Sequence, residues 1–380
     1  MKLAVLKERR DSESRVAATP DSVKRFVGQG IDVFVETGAG DLASIPDSQF
    51  EAAGAKIAPD FKSALDGADL IYKVRRPLPE ELAAMKRGAG LVALLAPYAD
   101  PAALKAYADA GLQAIAMEFI PRITRAQAMD ALSSQANLAG YRAVIEAAAL
   151  YGRGFPMMMT AAGTVAAAKV FVMGAGVAGL QAIATARRLG AIVTATDVRP
   201  AAKEQVGSLG AKFVAVEDEE FKQAETAAGY AKPMSAEYQV KQAALVAEHI
   251  AKQDIVITTA LIPGRPAPVL VTEAMARSMK PGSIIVDLAV EQGGNCPLSK
   301  AEELVRAGNV TIAGFSNLPG RIAADSSALY AKNLVNLTPL LVSKEGAFAP
   351  QLDDEILKGA TLTRDGAIVH PTFAPNTASA

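Results

Sequence analysis

The chain has 380 residues, of which 51% are hydrophobic and 21% charged, so it can bury a core of about two domains and is not disordered as a whole. Its 39 Lys and Arg residues balance 40 Asp and Glu residues, and Trp is absent, which argues against nucleic acid as a partner. The single cysteine, Cys296, excludes an internal disulfide, and the distant His249 and His370 predict no metal site.

Short apolar runs alternate with helix-like stretches, such as residues 20–28, near the start of the chain. The runs lie at residues 3–6, 33–35, 70–74, 91–95 and 114–117. This alternation predicts a parallel sheet with crossover helices. The opening MKLAVLKERR turns charged after one short run, which is typical of a strand rather than a signal peptide. We therefore expect the chain to stay in the cytoplasm.

A proline-free pattern from residue 126 to about residue 151 predicts a long connecting helix. A second series of apolar runs follows it, at residues 170–173, 192–196, 212–216, 255–259, 284–287 and 310–313. Six strands are the number of a complete doubly wound nucleotide-binding sheet. A helix-prone segment at residues 321–341 then leads back toward the first domain.

A glycine fingerprint, GxGxxG, follows the first strand of this second series. Its glycines are Gly174, Gly176 and Gly179, between an apolar strand and an amphipathic helix. Gly174 allows a tight turn, Gly176 lets the backbone approach a pyrophosphate, and Gly179 lets helix and strand pack closely. Val177 and Ala178 would present backbone N–H groups to the phosphates at the helix N-terminus. The alternative is a glycine-rich turn without a ligand.

Asp197 closes the next strand, 18 residues after Gly179. A carboxylate at this position accepts hydrogen bonds from the adenosine ribose hydroxyls and repels a 2′-phosphate. Val198 belongs to the same candidate site, and Arg199 would in principle favour NADP. Because Asp197 holds the nearer position, the sequence predicts NAD as the cofactor.

These patterns predict an α/β fold with two doubly wound parallel-sheet domains joined by long helices, the second a Rossmann NAD-binding domain. The first domain comprises residues 1–125 and is completed by residues 321–380, and the second comprises residues 126–320. The most apolar stretch, residues 170–186, is slightly short for a bilayer and carries glycines in its middle. We therefore expect no membrane span, although the mean hydropathy is +0.19.

Segments along the whole chain carry a resemblance to a known family. Two of them are KERRDSESRVAATP at 7–20 and YKVRRP at 72–77. The others are PRITRAQAMDALSSQANLAGYRAV at 121–144, FPMMMTAAGT at 155–164, ETAAGYAKPMS at 225–235, ITTALIPGRPAPVLVT at 257–272, DLAVEQGGNCPLS at 287–299 and TRDGAIVHP at 363–371. They resemble the family that unites alanine dehydrogenase with the NAD-binding domain of proton-translocating transhydrogenase. The first two segments are shared by both branches, and the others are similar to the transhydrogenase branch.

The resemblance implies that Arg122, Gln127 and Asp130 are the catalytic residues. With Ser133, they would hold the nicotinamide and its ribose, and Gln127 would orient the ring toward a second nucleotide. The residues alone leave another interpretation open. Thr124 and Gln127 match a helix capping box, and Arg122 and Asp130 could pair at the start of that helix.

The connection between the third and fourth strands of the second series is unusually long and contains ETAAGYAKPMS. Long connections of this kind are functional lids or disordered segments. The resemblance implies a mobile loop that closes on the nucleotide through Gly229 and Tyr230, with Met234 as a further candidate. It also implies cofactor contacts by Gln242 and Leu261. The alternative is a flexible surface insertion.

The dehydrogenase branch needs a group that accepts a proton while hydride leaves. The resemblance implies for that branch a lysine and an arginine that hold the substrate carboxylate, here Lys73 and Arg15, and a histidine where this chain has Leu94. We therefore interpret Lys73 and Arg15 as members of surface or interdomain ion pairs. Hydride transfer between two nicotinamides needs no proton acceptor, because the cofactors carry the redox chemistry.

The resemblance to transhydrogenase implies an NAD(H)-binding component that exchanges hydride with NADP(H) bound on a partner subunit. A membrane-spanning partner would couple the transfer to proton translocation, and both partner domains are expected on other polypeptides. We further expect a homodimer that lies, through its partners, on the cytoplasmic face of the inner or plasma membrane. The alternatives are a free amino-acid dehydrogenase and a nucleotide sensor without chemistry.

Overall fold

The computed structural model describes residues 1–223 and 234–374. Its strands are β1 (Lys2–Val5), β2 (Asp32–Glu36), β3 (Lys56–Ala58), β4 (Leu70–Arg75), β5 (Gly90–Leu94), β6 (Gln113–Ala116), β7 (Met158–Thr160), β8 (Gly163–Val165), β9 (Lys169–Met173), β10 (Ile192–Thr196), β11 (Lys212–Phe213), β12 (Ile255–Thr258), β13 (Ile284–Asp287), β14 (Leu304–Ala307), β15 (Val310–Ala313), β16 (Thr361–Arg364) and β17 (Ala367–Ile368).

Its α-helices are α1 (Pro20–Gly28), α2 (Asp47–Ala52), α3 (Phe61–Leu65), α4 (Pro79–Ala83), α5 (Pro101–Asp109), α6 (Ala131–Leu150), α7 (Val177–Arg188), α8 (Ala202–Ser208), α9 (Glu219–Lys222), α10 (Ala236–Ile250), α11 (Glu273–Ser278), α12 (Ala323–Leu337) and α13 (Glu355–Ala360). Short 3-10 helices lie at Asp41–Ala43, Met117–Phe119, Thr124–Met129, Val290–Gln292, Leu318–Ile322 and Thr338–Leu340.

The chain divides into two compact units. Unit 1 comprises Met1–Gln135 and Pro319–Ala380, and unit 2 comprises Ala136–Leu318. The boundaries drawn from the sequence lie after residues 125 and 320. Each unit contains one large sheet, and β7 and β8 form a separate, exposed hairpin in unit 2.

The sheet of unit 1 has the strand order β17-β16-β6-β5-β4-β1-β2-β3. Strands β1 to β6 are parallel, and β16 pairs antiparallel with both β6 and β17. Successive residues of β1 point to opposite faces, so that Leu3 and Val5 pack in one apolar cluster and Ala4 in another. Both faces are therefore covered, as a parallel sheet requires.

The sheet of unit 2 has the strand order β11-β10-β9-β12-β13-β15-β14. The six predicted strands are present and parallel, and β14 is an additional antiparallel edge strand. It escaped prediction because its residues are mostly exposed and form no apolar run. Strands β10 and β11 lie on one side of β9 and β12, β13 and β15 on the other, which is the order of a doubly wound sheet. The predicted fold class is confirmed.

Two predicted helices begin or end differently from expectation. The helix expected over residues 126–151 starts with the 3-10 helix Thr124–Met129, and α6 begins only at Ala131. The segment expected over residues 321–341 is α-helical only from Ala323 to Leu337. Its last residues form a 3-10 helix around Pro339, because a proline lacks the N–H that would continue the α-helix.

In the portion of the chain that the structure describes, no helix has both the length and the apolar composition for crossing a membrane. The same residues contain no group of three or more His, Cys, Asp or Glu side chains that could hold a metal ion. Each histidine has a local partner. His249 Nε2 lies 2.8 Å from the Thr194 hydroxyl, and His370 Nε2 donates a hydrogen bond to the Gly359 carbonyl (3.1 Å).

Candidate functional site

The glycine fingerprint forms the turn between β9 and α7. Gly174 has a φ of +106°, which residues with a side chain rarely adopt. A Cβ at Gly179 would lie 1.8 Å from the Gly174 carbonyl oxygen, so only glycine allows the helix to pack this closely on the turn. Thr259 supports the turn by donating a hydrogen bond to the same carbonyl (3.1 Å). Thr259 was not predicted as a site residue, and its only signal was its place just after β12, the strand beside β9.

Gly176 stands at the N-terminus of α7 and faces open space. A Cβ built on it would meet no atom within 4 Å. Val177 and Ala178 are the first residues of the helix, where backbone N–H groups have no acceptor within the helix itself. The helix dipole adds partial positive charge at the same place. The turn therefore has the room and the donors that a pyrophosphate needs.

Asp197 directly follows β10. Its carboxylate accepts hydrogen bonds from the backbone N–H groups of Ala175 (2.7 Å) and Arg199 (2.9 Å). The Arg199 guanidinium donates two more, through Nε (2.9 Å) and Nη2 (3.0 Å). Burial raises the pKa of Asp197, but these hydrogen bonds and the charge of Arg199 outweigh burial and hold the pKa below its ordinary value. Asp197 is therefore ionised near neutral pH.

Arg199, the residue that would favour a 2′-phosphate, is turned toward Asp197. Its Nη2 also donates to the Ala175 carbonyl (3.3 Å). Its guanidinium thus has partners on the chain, and the negative charge of Asp197 lies beside it. Val198 is 61% exposed and offers an apolar surface next to the carboxylate.

The remaining predicted cofactor residues of unit 2 differ in their surroundings. Gly229 and Tyr230 lie outside the described residues. Gln242, on α10, accepts a hydrogen bond from the Val216 N–H (2.8 Å) and donates one to the Thr196 hydroxyl (3.3 Å). It therefore links the end of β10 to the segment after β11. Met234 packs against the core of unit 2, and Leu261 is half-exposed beyond the end of β12.

Asn295, which was not predicted as a site residue, holds the loop after β12. Its side-chain amide donates to the carbonyls of Ala260 and Pro268, both at 2.8 Å, and its side-chain oxygen accepts from the Ala260 N–H (3.1 Å). The loop that carries Leu261 is thereby fixed beyond the carboxyl end of β12. The only signal in the sequence was an amide side chain shortly after an apolar strand.

The three candidate catalytic residues lie in unit 1, on and beside the 3-10 helix Thr124–Met129. Arg122 and Gln127 are exposed, and their side chains make no hydrogen bond or ion pair within residues 1–223 and 234–374. Asp130 caps α6, since its carboxylate accepts hydrogen bonds from the N–H (2.8 Å) and the hydroxyl (2.6 Å) of Ser133.

The capping-box interpretation of this segment is wrong. The 3-10 helix follows Ile123 without any side-chain cap, so Thr124 does not act as one. Asp130 instead caps the next helix, and no ion pair joins it to Arg122 in the described chain. Arg122 and Gln127 are consequently available to a ligand.

Lys73 and Arg15 belong to a buried cluster of charges in unit 1. Lys73 Nζ lies 3.4 Å from Glu8 Oε2 and 3.3 Å from Glu81 Oε2. Arg15 Nη2 lies 2.6 Å from Glu13 Oε2. Burial raises the pKa of Glu13, but the hydrogen bonds and charge of Arg15 outweigh burial and lower the pKa to about 2. The predicted ion pairing is present, but its predicted place at the surface or between domains is wrong.

Comparison with known proteins gives matches over nearly the whole chain. Residues 4–139 match the alanine dehydrogenase/PNT N-terminal domain, and residues 143–371 match the alanine dehydrogenase/PNT C-terminal domain. An NAD(P) transhydrogenase subunit alpha chain of Rhodospirillum rubrum is 56% identical over 379 residues, which cover 98% of this chain and 99% of that protein. An alanine dehydrogenase of Halomonas elongata is 31% identical over 381 residues, which cover 98% of this chain and 96% of that protein.

A solved structure of transhydrogenase from Sinorhizobium meliloti has a TM-score of 0.89 to this chain at 57% sequence identity. The match covers 97% of this chain and 100% of that one. The identity to the transhydrogenases is much higher than that to the alanine dehydrogenase. The chain therefore belongs to the alanine dehydrogenase/PNT family, and within it to the transhydrogenase branch.

Proposed function

We propose that this chain is the NAD(H)-binding component of a proton-translocating transhydrogenase. Hydride passes directly between NADH on this chain and NADP+ on a partner subunit, and a membrane-spanning partner couples the transfer to proton translocation. The observation that carries the proposal is the pairing of Lys73 and Arg15 with carboxylates of the chain. The positive charges that would hold an amino-acid substrate are already neutralised, and Leu94 provides no proton acceptor.

The geometry of unit 2 supports binding of the dinucleotide at the fingerprint. The pyrophosphate lies in the open space at Gly176 and accepts hydrogen bonds from the first N–H groups of α7, those of Val177 and Ala178. Asp197 accepts hydrogen bonds from the ribose hydroxyls, and its charge, with Arg199 paired to it, favours NAD over NADP. By resemblance, Val198, Gly229, Tyr230, Gln242 and Leu261 add further contacts.

Asp197→Asn is expected to weaken NADH binding about tenfold and to narrow the preference against NADPH, because a neutral amide accepts weaker hydrogen bonds and no longer repels a 2′-phosphate. Fluorescence titrations with NADH and NADPH measure both affinities. Asp353→Asn, which changes an exposed carboxylate in unit 1, serves as the control. Unchanged affinity for both nucleotides would remove Asp197 from the ribose site.

The segment around Gln127 supports the hydride-transfer role. Bound NADH supplies the hydride from its nicotinamide C4 atom, so the task of the protein is to orient the ring. By resemblance, Arg122, Gln127, Asp130 and Ser133 hold the nicotinamide and its ribose. The exposed side chains of Arg122 and Gln127, which have no partner in the described chain, are suited to this role.

The partners follow from the same proposal. The chain forms a homodimer, and it lies peripherally on the cytoplasmic face of the membrane through the membrane-spanning and NADP(H)-binding subunits. The relative from Rhodospirillum rubrum carries the name of a subunit, which supports the need for partners. Light scattering on the purified chain tests the homodimer, since the mass of one chain in place of two would contradict it.

The proposed function is tested by a hydride-transfer assay with NADH and thio-NADP. The purified chain is assayed with and without an NADP-binding transhydrogenase component, and alanine and pyruvate serve as alternative substrates. Activity that requires the added component supports the proposal. Turnover of alanine or pyruvate by the chain alone would instead identify an amino-acid dehydrogenase.

A further inference from the structure

The segment from Pro121 to Asp130 has little internal support for its conformation. Its 3-10 helix has no side-chain cap, and the backbone hydrogen bond from Asp130 to Gln127 is long, at 3.3 Å. Hydrogen-bond geometry in 3-10 helices is poorer than in α-helices. The position of Gln127 therefore depends on contacts from the rest of unit 1.

One such contact joins α12 to the residue that follows Gln127. The carbonyl oxygen of Ala128 accepts hydrogen bonds from the side-chain amides of Asn333 (2.9 Å) and Asn336 (3.0 Å). Asn333 is buried, and its own oxygen accepts a hydrogen bond from the Ser134 hydroxyl (2.8 Å), which fixes the orientation of the amide. The backbone beside Gln127 is thus held by two donors.

A second contact joins α13 to the residue two positions before Gln127. The guanidinium of Arg125 donates to both carboxylate oxygens of Asp354, at 2.8 and 2.9 Å, and through Nε to Glu355 (3.1 Å). Such a two-pronged pairing fixes direction as well as distance. Asp354 is held in turn, because it caps α13 by accepting a hydrogen bond from the Ile356 N–H (2.8 Å).

Helix α13 is a firm support for this pairing. Its residues Ile356, Leu357 and Ala360 are fully buried in the core of unit 1. Gly359 of the same helix lies against Pro121, since a Cβ built on it would stand 3.4 Å from the proline ring. The segment is therefore held at its start by Gly359, in its middle by Asp354 and near its end by the two asparagines.

We propose that Arg125, Asp354, Asn333 and Asn336 are positioning residues for hydride transfer, because they fix the backbone from which Arg122 and Gln127 reach the nicotinamide. This inference rests on the proposed function. It assigns these four residues to the rate of transfer rather than to cofactor affinity or to folding. Exposed ion pairs contribute little to stability, so loss of the Arg125 pairing should leave the chain folded.

The test uses the full chain with an NADP-binding transhydrogenase component. Arg125→Ala is expected to lower kcat for hydride transfer about tenfold, because a small misplacement at the reacting atoms slows a reaction strongly. The KM for NADH should stay within about threefold and the melting temperature within about 2 °C. Lys105→Ala removes an exposed ion pair to Asp109 on α5 and is the matched control, with kcat unchanged.

Graded variants separate positioning from general damage. Arg125→Lys keeps the charge but not the two-pronged geometry, and Asp354→Asn keeps the cap of α13 but not the charge, so both should show intermediate rates. Asn336→Ala removes one of the two donors to Ala128 and should also lower kcat without changing KM.

Two results would overturn the inference. One is a kcat of Arg125→Ala equal to that of the unsubstituted chain, and the other is a loss of rate that runs parallel to a loss of thermal stability. Absence of hydride transfer by the unsubstituted chain with its partner would instead contradict the proposed function.

Discussion

Gly176→Val is expected to weaken NADH binding about a hundredfold, which corresponds to about 2.7 kcal/mol. The valine methyl groups would occupy the open space at the start of α7, in which the pyrophosphate of the proposed cofactor lies. The fold should survive, because a Cβ at this position meets no atom within 4 Å. Valine is a poorer residue than glycine at a helix N-terminus, so a loss of about 1 kcal/mol in the free energy of unfolding is expected.

The measurement is a titration of NADH fluorescence combined with thermal unfolding of the same samples. Gly207→Val is the matched control, since Gly207 lies in α8 of the same unit and its Cβ would also meet open space. NADH affinity of the control should equal that of the unsubstituted chain. If Gly176→Val also binds NADH normally, the pyrophosphate does not lie at this turn.

Gln127→Asn is expected to slow hydride transfer about a hundredfold while NADH affinity changes by no more than a few fold. The shorter side chain retains the amide but moves it by one methylene group, so it orients the nicotinamide less well. The exposed side chain has no partner in the described chain, and its shortening should not affect folding. Single-turnover transfer from NADH to thio-NADP on the partner component measures the rate.

Gln49→Asn makes the same change at an exposed position on α2 of unit 1 and should leave the rate unaltered. A normal transfer rate for Gln127→Asn would show that the residue has no role in orienting the ring. A proportional loss of NADH affinity and rate would assign it to binding alone.

The strands and the fingerprint could be predicted from the sequence because both depend on local patterns. Apolar runs such as residues 170–173 become buried strands in any parallel sheet, and the turn at Gly174 requires glycine in any fold that forms it. The edge strands β14, β16 and β17 escaped prediction. An edge strand is stabilised mainly by the neighbour with which it pairs, and that neighbour is not visible in its own residues.

The sequence by itself determined the fold class, the fingerprint and the acidic residue after β10. Only the tertiary structure decided the partners of the polar side chains. It buried Lys73 and Arg15 against carboxylates of unit 1, made Asp130 rather than Thr124 a helix cap, and brought Asp354 to Arg125. The physical reason is that backbone conformation follows from neighbouring residues, whereas a buried or paired polar group is satisfied by whichever residue the completed fold brings to it.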